Sequence, residues 1–216
     1  MAPFIPVIFL LIGYVSGSIP WGLVVVRLMT GQDIRTVGSG RTGGTNALRA
    51  AGPVAFALVV LLDGAKGLLP VIAARLLFPD IPLAAAAAGI GAVAGTIWSV
   101  FIHFKGGAGG VTNMGVTLGL SPIAAIAAIV LGLGAFIGAR MASVGTLTGS
   151  ATSLVTLILL AWLGHSPWEY VLYGIAQLIF VVIALRPNIQ RIRNGTERRI
   201  DLSSFTSRKA HPKGRP

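Results

Sequence analysis

The sequence predicts an all-α, polytopic membrane protein with about seven transmembrane helices. Of its 216 residues, 54% are hydrophobic and 11% are charged, whereas soluble domains carry about 25% charged residues. The mean hydropathy is +0.83, and the apolar residues form runs of about 20, the length that crosses a bilayer as a helix. Residues 1–200 are predicted to form a single transmembrane domain. The Ser-, Lys- and Arg-rich stretch 201–216 is predicted to be a basic, disordered cytoplasmic tail.

The first apolar run is predicted to remain as a span, because it is longer than the apolar core of a signal peptide and no basic residue precedes Phe4. Five further runs have membrane length, and one glycine-rich stretch, 107–120, is short. A crossing and a re-entrant segment are both compatible with that stretch. In chain order, the predicted spans are 4–27, 53–77, 82–103, 107–120, 121–139, 143–163 and 168–185.

The distribution of lysine and arginine favours counting the short stretch as a crossing. With seven crossings, 15 of the 17 cationic residues fall on one side of the membrane. With six, the arginines of the first loop oppose the cationic C-terminal region. Because cytoplasmic loops carry the excess positive charge, we predict an N-terminus outside and a C-terminus in the cytoplasm. This topology and anionic lipid explain the net charge of +11, and no motif points to nucleic acid.

The segment 38–49 is predicted to bind phosphate at the cytoplasmic surface. Its glycines allow backbone N–H groups to turn toward one point, and its arginines offer planar forks that suit phosphate. A flexible cytoplasmic turn is the alternative interpretation. The glycine spacing also matches a dinucleotide fingerprint, but no strand precedes it, so we exclude that class. The candidate residues of this segment are Gly38, Ser39, Gly40, Arg41, Gly43, Thr45, Asn46 and Arg49.

A second glycine-rich segment is predicted on the same face of the membrane. Lys105 is followed by Gly106, Gly107 and Gly109, a pattern that resembles a phosphate-binding nest ahead of a helix N-terminus. Close helix packing by small residues is the alternative, and Lys105 alone is equally consistent with a topology anchor.

A third segment, 186–197, brings Asn188 and Glu197 to this face, so polar segments far apart in sequence are expected to converge on one site. Asp63 and Lys66 lie three residues apart near the middle of the second predicted span. Ionisable groups at that depth are costly and normally paired, so we predict a structural ion pair in preference to a catalytic one.

No metal or other cofactor is predicted. The chain has no cysteine, which excludes disulfides and thiolate metal sites. His103 and His165 have no further metal ligand at a useful spacing.

Five blocks of the sequence resemble those of the bacterial integral-membrane acyl-phosphate:glycerol-3-phosphate acyltransferases. Their order and spacing cover residues 13–199. The blocks are Ser-Gly-Ser-Ile-Pro-Trp-Gly at 16–22, the stretch from Asp-Ile-Arg to Asn-Ala-Leu-Arg at 33–49, Asp-Gly-Ala-Lys-Gly at 63–67, Phe-Lys-Gly-Gly and the following threonine at 104–112, and Asn-Ile through Gly-Thr-Glu at 188–197.

The resemblance implies a seven-helix fold in the bacterial plasma membrane, the inner membrane of the cell, with the active site facing the cytoplasm. It implies that a fatty acyl group passes from acyl phosphate to the 1-hydroxyl of glycerol 3-phosphate, which forms lysophosphatidic acid for phospholipid biosynthesis. Neither coenzyme A nor a metal would take part. A phosphate acyltransferase would be the partner enzyme that supplies acyl phosphate.

The resemblance also assigns roles to individual residues. Ser39, Arg49 and Asn188 would be catalytic, the first two by contacting phosphates and the third by orienting a substrate. The glycines of the second segment would form the glycerol 3-phosphate nest, and Glu197 would support the loop structurally.

Four positions depart from the family pattern: Arg41 replaces an asparagine, Thr96 a histidine, Ala108 a lysine and Leu185 a histidine. Arg41 could restore from the neighbouring segment the charge that is missing at Ala108. The sequence leaves three functions open: an active acyltransferase, an inactive paralogue that binds phospholipid precursors or a partner enzyme, and an anion transporter. The lack of two symmetrical halves with paired broken helices argues against transport.

Overall fold

The computed structural model describes residues 2–200, and all the secondary structure assigned in that range is helical. The predicted tail at 201–216 lies outside the described residues. The α-helices of this range are α1 (Ile5–Ser18), α2 (Trp21–Thr30), α3 (Gly44–Leu77), α4 (Pro82–Ile97), α5 (Gly110–Leu120), α6 (Pro122–Ala139), α7 (Ala142–Trp162) and α8 (Glu169–Arg193).

The prediction of about seven crossings is confirmed. In the described range, six helical stretches are long and apolar enough to cross a membrane, with α1 and α2 counted as one. The short helix α5 has 11 residues, about 16 Å at 1.5 Å per residue. Its C-terminal end nevertheless reaches the far end of α3, where Arg75 Nη1 donates to the Gly119 carbonyl oxygen at 2.5 Å. α5 is therefore a short seventh passage between α4 and α6.

The two ends of the described chain lie at opposite faces of the bundle, as an odd number of crossings requires. Near the start of α1, the ring of Phe9 meets that of Phe78 edge-on at 5.7 Å, just beyond the far end of α3. The last turns of α8 instead border the cavity that α3 and α5 open into at their N-termini.

The first span is broken at Ile19 and Pro20, between α1 and α2. Lys66 of α3 stabilises the break, because its Nζ donates to the Ile19 carbonyl oxygen at 3.0 Å. The same ammonium group lies 2.7 Å from Asp63 Oδ1, and both side chains are almost fully buried. The ion pair expected from their spacing is thus present, and Lys66 joins α3 to the break between α1 and α2.

Two predicted helix boundaries were wrong, and both concern the site. The second span was predicted to begin at residue 53, whereas α3 begins at Gly44 and bends at Gly52, whose φ is +84°. The last span was predicted to end at residue 185, whereas α8 continues through Pro187 to Arg193. Because of these extensions, Arg49 and Asn188 lie on helices, where the sequence predicted loops.

A buried polar cluster fixes the position of α5 against α7 and α8. Asn113 Nδ2 donates to Ser150 Oγ at 3.1 Å and to Gln177 Oε1 at 2.9 Å. The Tyr173 hydroxyl donates to Asn113 Oδ1, and Thr117 of α5 bonds Ser153 of α7 at 3.1 Å. A helix of 11 residues is too short for its length to fix its depth in the bundle, and these bonds hold it in place.

Candidate active site

A cavity of about 340 Å³ lies where α3 and α5 begin and α8 approaches its end. It gathers residues from all three predicted segments, together with the start of α7. Of the predicted site residues, those that line it are Ser39, Arg41, Gly43, Thr45, Asn46, Arg49, Asp63, Gly107, Gly109, Asn188 and Glu197.

The loop before α3 is shaped by the buried side chain of Asn46. Its Nδ2 lies 2.9–3.0 Å from the carbonyl oxygens of Ile34, Val37 and Arg41, and its Oδ1 accepts from the Ser39 N–H at 3.2 Å. Asn46 was predicted to bind phosphate, but the loop occupies its whole amide. We assign it a positioning role, because it holds Ser39 and Arg41 at the cavity.

Two helix N-termini open into the cavity. Asn46 and Ala47 are the first residues of α3 to donate backward, both to the Gly43 carbonyl oxygen. In α5 the corresponding bond runs from the Asn113 N–H to the Gly109 carbonyl oxygen at 2.8 Å. The N–H groups of the first helical turn have no acceptor within the helix, and the helix dipole is positive at that end. This part of the cavity is suited to an anion.

The glycine nest predicted at 106 and 107 is corrected by the structure. The Gly106 N–H donates to the Ile97 carbonyl oxygen at 3.0 Å, and the Gly107 N–H to that of Thr96 at 2.9 Å. These bonds turn the chain back from α4, so neither donor is left for a ligand. Gly109, with φ +78°, redirects the chain into α5, and the available donors shift to the first turn of that helix.

Three other predicted phosphate-binding residues do not line the cavity. Lys105 is exposed on the turn beyond α4. Gly38 and Gly40 have φ values of +51° and +71°, and they bend the loop that carries Ser39 without facing the cavity. Their contribution is to backbone shape, for which glycine is the favoured residue.

Three arginines line the cavity: Arg41, Arg49 and Arg198. The guanidinium group of Arg41 reaches α8, where its Nη2 donates to the Ala184 carbonyl oxygen at 2.6 Å. Burial, and then the charge of neighbouring Arg191, lower the pKa of Arg41 below its ordinary value, although an arginine remains charged in either case. Arg198 was not predicted, since in the sequence it is one more cation of a basic C-terminal region.

The carboxylate of Glu197 ties α7, α8 and the chain after α8 together. Its Oε1 accepts from Ser143 Oγ at 2.9 Å and from Asn188 Nδ2 at 2.6 Å, while its Oε2 accepts from Arg191 Nε at 2.8 Å. These bonds support the structural role expected of Glu197. They also fix the amide of Asn188, whose Oδ1 is buried at the cavity and has no hydrogen-bond partner in the described chain.

Glu197 should make the stability of the protein depend on acid pH. Burial raises the pKa of Glu197, but the hydrogen bonds from Asn188, Arg191 and Ser143 outweigh it and lower the pKa below 4.5. The stabilisation is therefore present at neutral pH and is lost as the pH falls below about 4.5. We expect Glu197→Gln to lower the unfolding midpoint at pH 7, and the difference from the wild type to shrink as the pH falls below about 4.5. Glu169→Gln, at the far end of α8, is the matched control and should leave the profile unchanged.

Part of the cavity wall is apolar. This apolar wall was not predicted, because its residues lie in membrane spans, where they resemble lipid-facing positions. They come from α3, α5 and α6: Phe56, Val60, Met114, Ile129, Leu133 and Phe136. One cavity thus combines an anion-binding end with a surface that suits a hydrocarbon chain.

A model of the glycerol-3-phosphate acyltransferase family matches residues 7–195. The chain belongs to the glycerol-3-phosphate acyltransferase family. It is 42% identical over 191 residues to a glycerol-3-phosphate acyltransferase of Myxococcus xanthus, covering 88% of this chain and 96% of that protein. A second such protein, from Anaeromyxobacter dehalogenans, is 38% identical over 192 residues, with 87% and 94% covered.

Two solved structures have the same fold. Both are crystal structures of PlsY (YgiH), an integral membrane glycerol 3-phosphate acyltransferase. The glycerol 3-phosphate form gives a TM-score of 0.83 at 31% identity, covering 91% of this chain and 96% of that one. The lysophosphatidic acid form gives 0.82 at 28% identity, covering 93% and 98%. The family and the apolar helices make this protein a multi-pass integral membrane acyltransferase.

The four positions that depart from the family pattern all line the cavity: Arg41, Thr96, Ala108 and Leu185. Thr96 is committed to the scaffold, since its hydroxyl lies 2.9 Å from the Ala92 carbonyl oxygen and 3.1 Å from Thr112 Oγ1. Ala108 and Leu185 offer no polar side chain. Of the four, only Arg41 brings charge to the cavity.

Proposed function

We propose that the protein transfers a fatty acyl group from acyl phosphate to the 1-hydroxyl of glycerol 3-phosphate, forming lysophosphatidic acid. One observation carries the proposal: a single cavity combines two helix N-termini and three arginines with an apolar wall. Acyl phosphate needs both surfaces at once, and glycerol 3-phosphate needs the anion-binding end. The names of the two PlsY forms agree with this acceptor and this product.

The reaction needs mainly positioning and charge stabilisation. The acceptor hydroxyl oxygen attacks the acyl carbonyl carbon, and the bond between that carbon and the phosphate oxygen breaks. The leaving phosphate takes the hydroxyl proton, so no strongly basic side chain is required. Ser39, Arg49, Gly43, Thr45 and the first turn of α5 border the phosphates in this scheme.

Asn188 is proposed to orient the acceptor. Its amide nitrogen is held by Glu197 at 2.6 Å, which leaves Oδ1 as an acceptor at the cavity without a partner in the described chain. A buried polar atom is normally hydrogen-bonded. The 1-hydroxyl of glycerol 3-phosphate would supply the donor and would thereby be aimed at the acyl carbonyl.

The proposed orientation of the protein in the membrane follows the positive-inside rule. We propose that the cavity faces the cytoplasm across the bacterial plasma membrane, with the N-terminus outside, because Arg27, Arg35 and Arg140 lie near the same end of the bundle as the cavity. A phosphate acyltransferase on that side would supply the acyl phosphate.

The test is an acyl-transfer assay on the purified protein in lipid, with acyl phosphate and glycerol 3-phosphate added and phosphate release followed. We expect turnover by the wild type and about a 10- to 100-fold lower kcat/KM for Arg49→Lys, because lysine cannot replace a bidentate guanidinium contact. Arg27→Lys, an exposed arginine of α2 outside the cavity, is the control. If the wild type binds glycerol 3-phosphate but shows no turnover, the inactive paralogue is favoured instead. Ala108 and Leu185, which replace a lysine and a histidine of the family pattern, are the reason for considering it.

A further inference from the structure

We infer that Arg41 holds the phosphate of the acyl acceptor and that Arg49 serves the phosphate of the acyl donor. This division rests on the proposed function. The charges around the cavity support this division. Among the described residues, the two carboxylates that line it are already used: Asp63 lies 2.7 Å from Lys66, and Glu197 lies 2.8 Å from Arg191.

The arginines that line the cavity therefore have no carboxylate partner within the described chain. Arg41 is more buried than Arg49, which is exposed at the cavity. A guanidinium group has five N–H donors, and the bond to Ala184 uses one nitrogen of Arg41. A half-buried cation without a counterion is costly, and an anionic ligand would offset that cost.

The position of Arg41 on the α8 side of the cavity points to the acceptor. The bond to Ala184 holds its guanidinium group one turn of α8 before Asn188, which is about 6 Å along the helix. Asn188 Oδ1 is the unpartnered acceptor proposed for the 1-hydroxyl. The three-carbon backbone of glycerol 3-phosphate has a comparable length, so one molecule can reach both groups.

Unlike Arg41, Arg49 makes no hydrogen bond to α8 within the described residues. It belongs to α3, which also carries Phe56 and Val60 of the apolar wall. Its side-chain stem packs beside Gly38. A donor whose hydrocarbon chain lies along the apolar wall would bring its phosphate toward this side. The acceptor has no hydrocarbon chain and is left with the α8 side.

The inference predicts opposite kinetic effects for the two arginines. Arg41→Gln should raise the KM for glycerol 3-phosphate about 10- to 100-fold, the range for losing hydrogen bonds to a charged group, with the KM for acyl phosphate within about threefold. Arg49→Gln should show the reverse pattern. Arg35→Gln is the matched control, because Arg35 lies on the same loop and pairs with Asp33 at 2.6 Å outside the cavity.

A binding measurement separates this inference from the proposed function. Titration calorimetry of glycerol 3-phosphate into wild type, Arg41→Gln and Arg41→Lys, without acyl phosphate, needs no turnover. Loss of affinity in Arg41→Gln and a smaller loss in Arg41→Lys would support the inference even if the wild type fails to transfer acyl groups. Equal affinity in wild type and Arg41→Gln, or no binding by the wild type, would overturn it. An Arg41→Gln effect confined to the KM for acyl phosphate would also overturn it.

Discussion

Asn188→Ala is expected to lower kcat/KM for acyl transfer by at least about 100-fold, the scale of losing one precisely placed group at a reacting centre. The substitution removes the Oδ1 atom that is proposed to orient the acceptor hydroxyl. It also removes the donor that meets Glu197 Oε1 at 2.6 Å. Glu197 keeps its bonds from Ser143 and Arg191, so the chain after α8 should stay in place and the loss should fall mainly on the chemistry.

Gln190→Ala is the matched control for this prediction. Gln190 carries the same amide group on the same stretch of α8, but it is exposed and does not line the cavity. Its activity should stay within about twofold of the wild type. Phosphate release over a range of glycerol 3-phosphate concentrations, together with the unfolding midpoint of each variant, is the measurement. Near wild-type activity in Asn188→Ala would show that the acceptor hydroxyl is oriented by another group.

Hydropathy was enough to locate the membrane helices whose interiors are uniformly apolar. α6 and α7 begin and end within one residue of their predicted bounds. The start of α3 was missed, because residues 44–51 mix glycine, asparagine and arginine and are followed by Gly52 and Pro53, which resemble a boundary. That first turn is held by the bonds of Asn46 to a loop that precedes it, and local composition does not reveal such contacts.

All three segments predicted from the sequence contribute residues to the cavity, but the N–H groups of Gly106 and Gly107, predicted as donors for a ligand, are used within the fold. Glycine content indicates where the backbone can bend, and it does not indicate which N–H groups remain available. Gly106 and Gly107 donate to Ile97 and Thr96 at the end of α4, and glycine content does not reveal this return of the chain. The apolar wall was missed for a related reason, since hydropathy does not distinguish a hydrophobic side chain facing lipid from one such as Leu133 that lines the cavity.

Lys66→Met is expected to give the largest loss of stability, about 3–5 kcal/mol in the free energy of unfolding. It leaves the carboxylate of Asp63 in the middle of a membrane span without the ammonium group that now lies 2.7 Å away. It also removes the bond to the Ile19 carbonyl oxygen at the break between α1 and α2. For a chain of this length, the unfolding midpoint should fall by roughly 6–20 °C.

A double substitution separates the charge from the lost hydrogen bond. Asp63→Asn combined with Lys66→Met removes both charges but still lacks the contact to Ile19. Because an uncompensated buried charge costs far more than a neutral replacement of the pair, the double variant should recover most of the midpoint lost by Lys66→Met. Thermal unfolding of the purified variants in detergent, followed by tryptophan fluorescence, measures this. If the double variant is as unstable as the single one, the Ile19 contact is what stabilises this part of the bundle, and the ion pair contributes little.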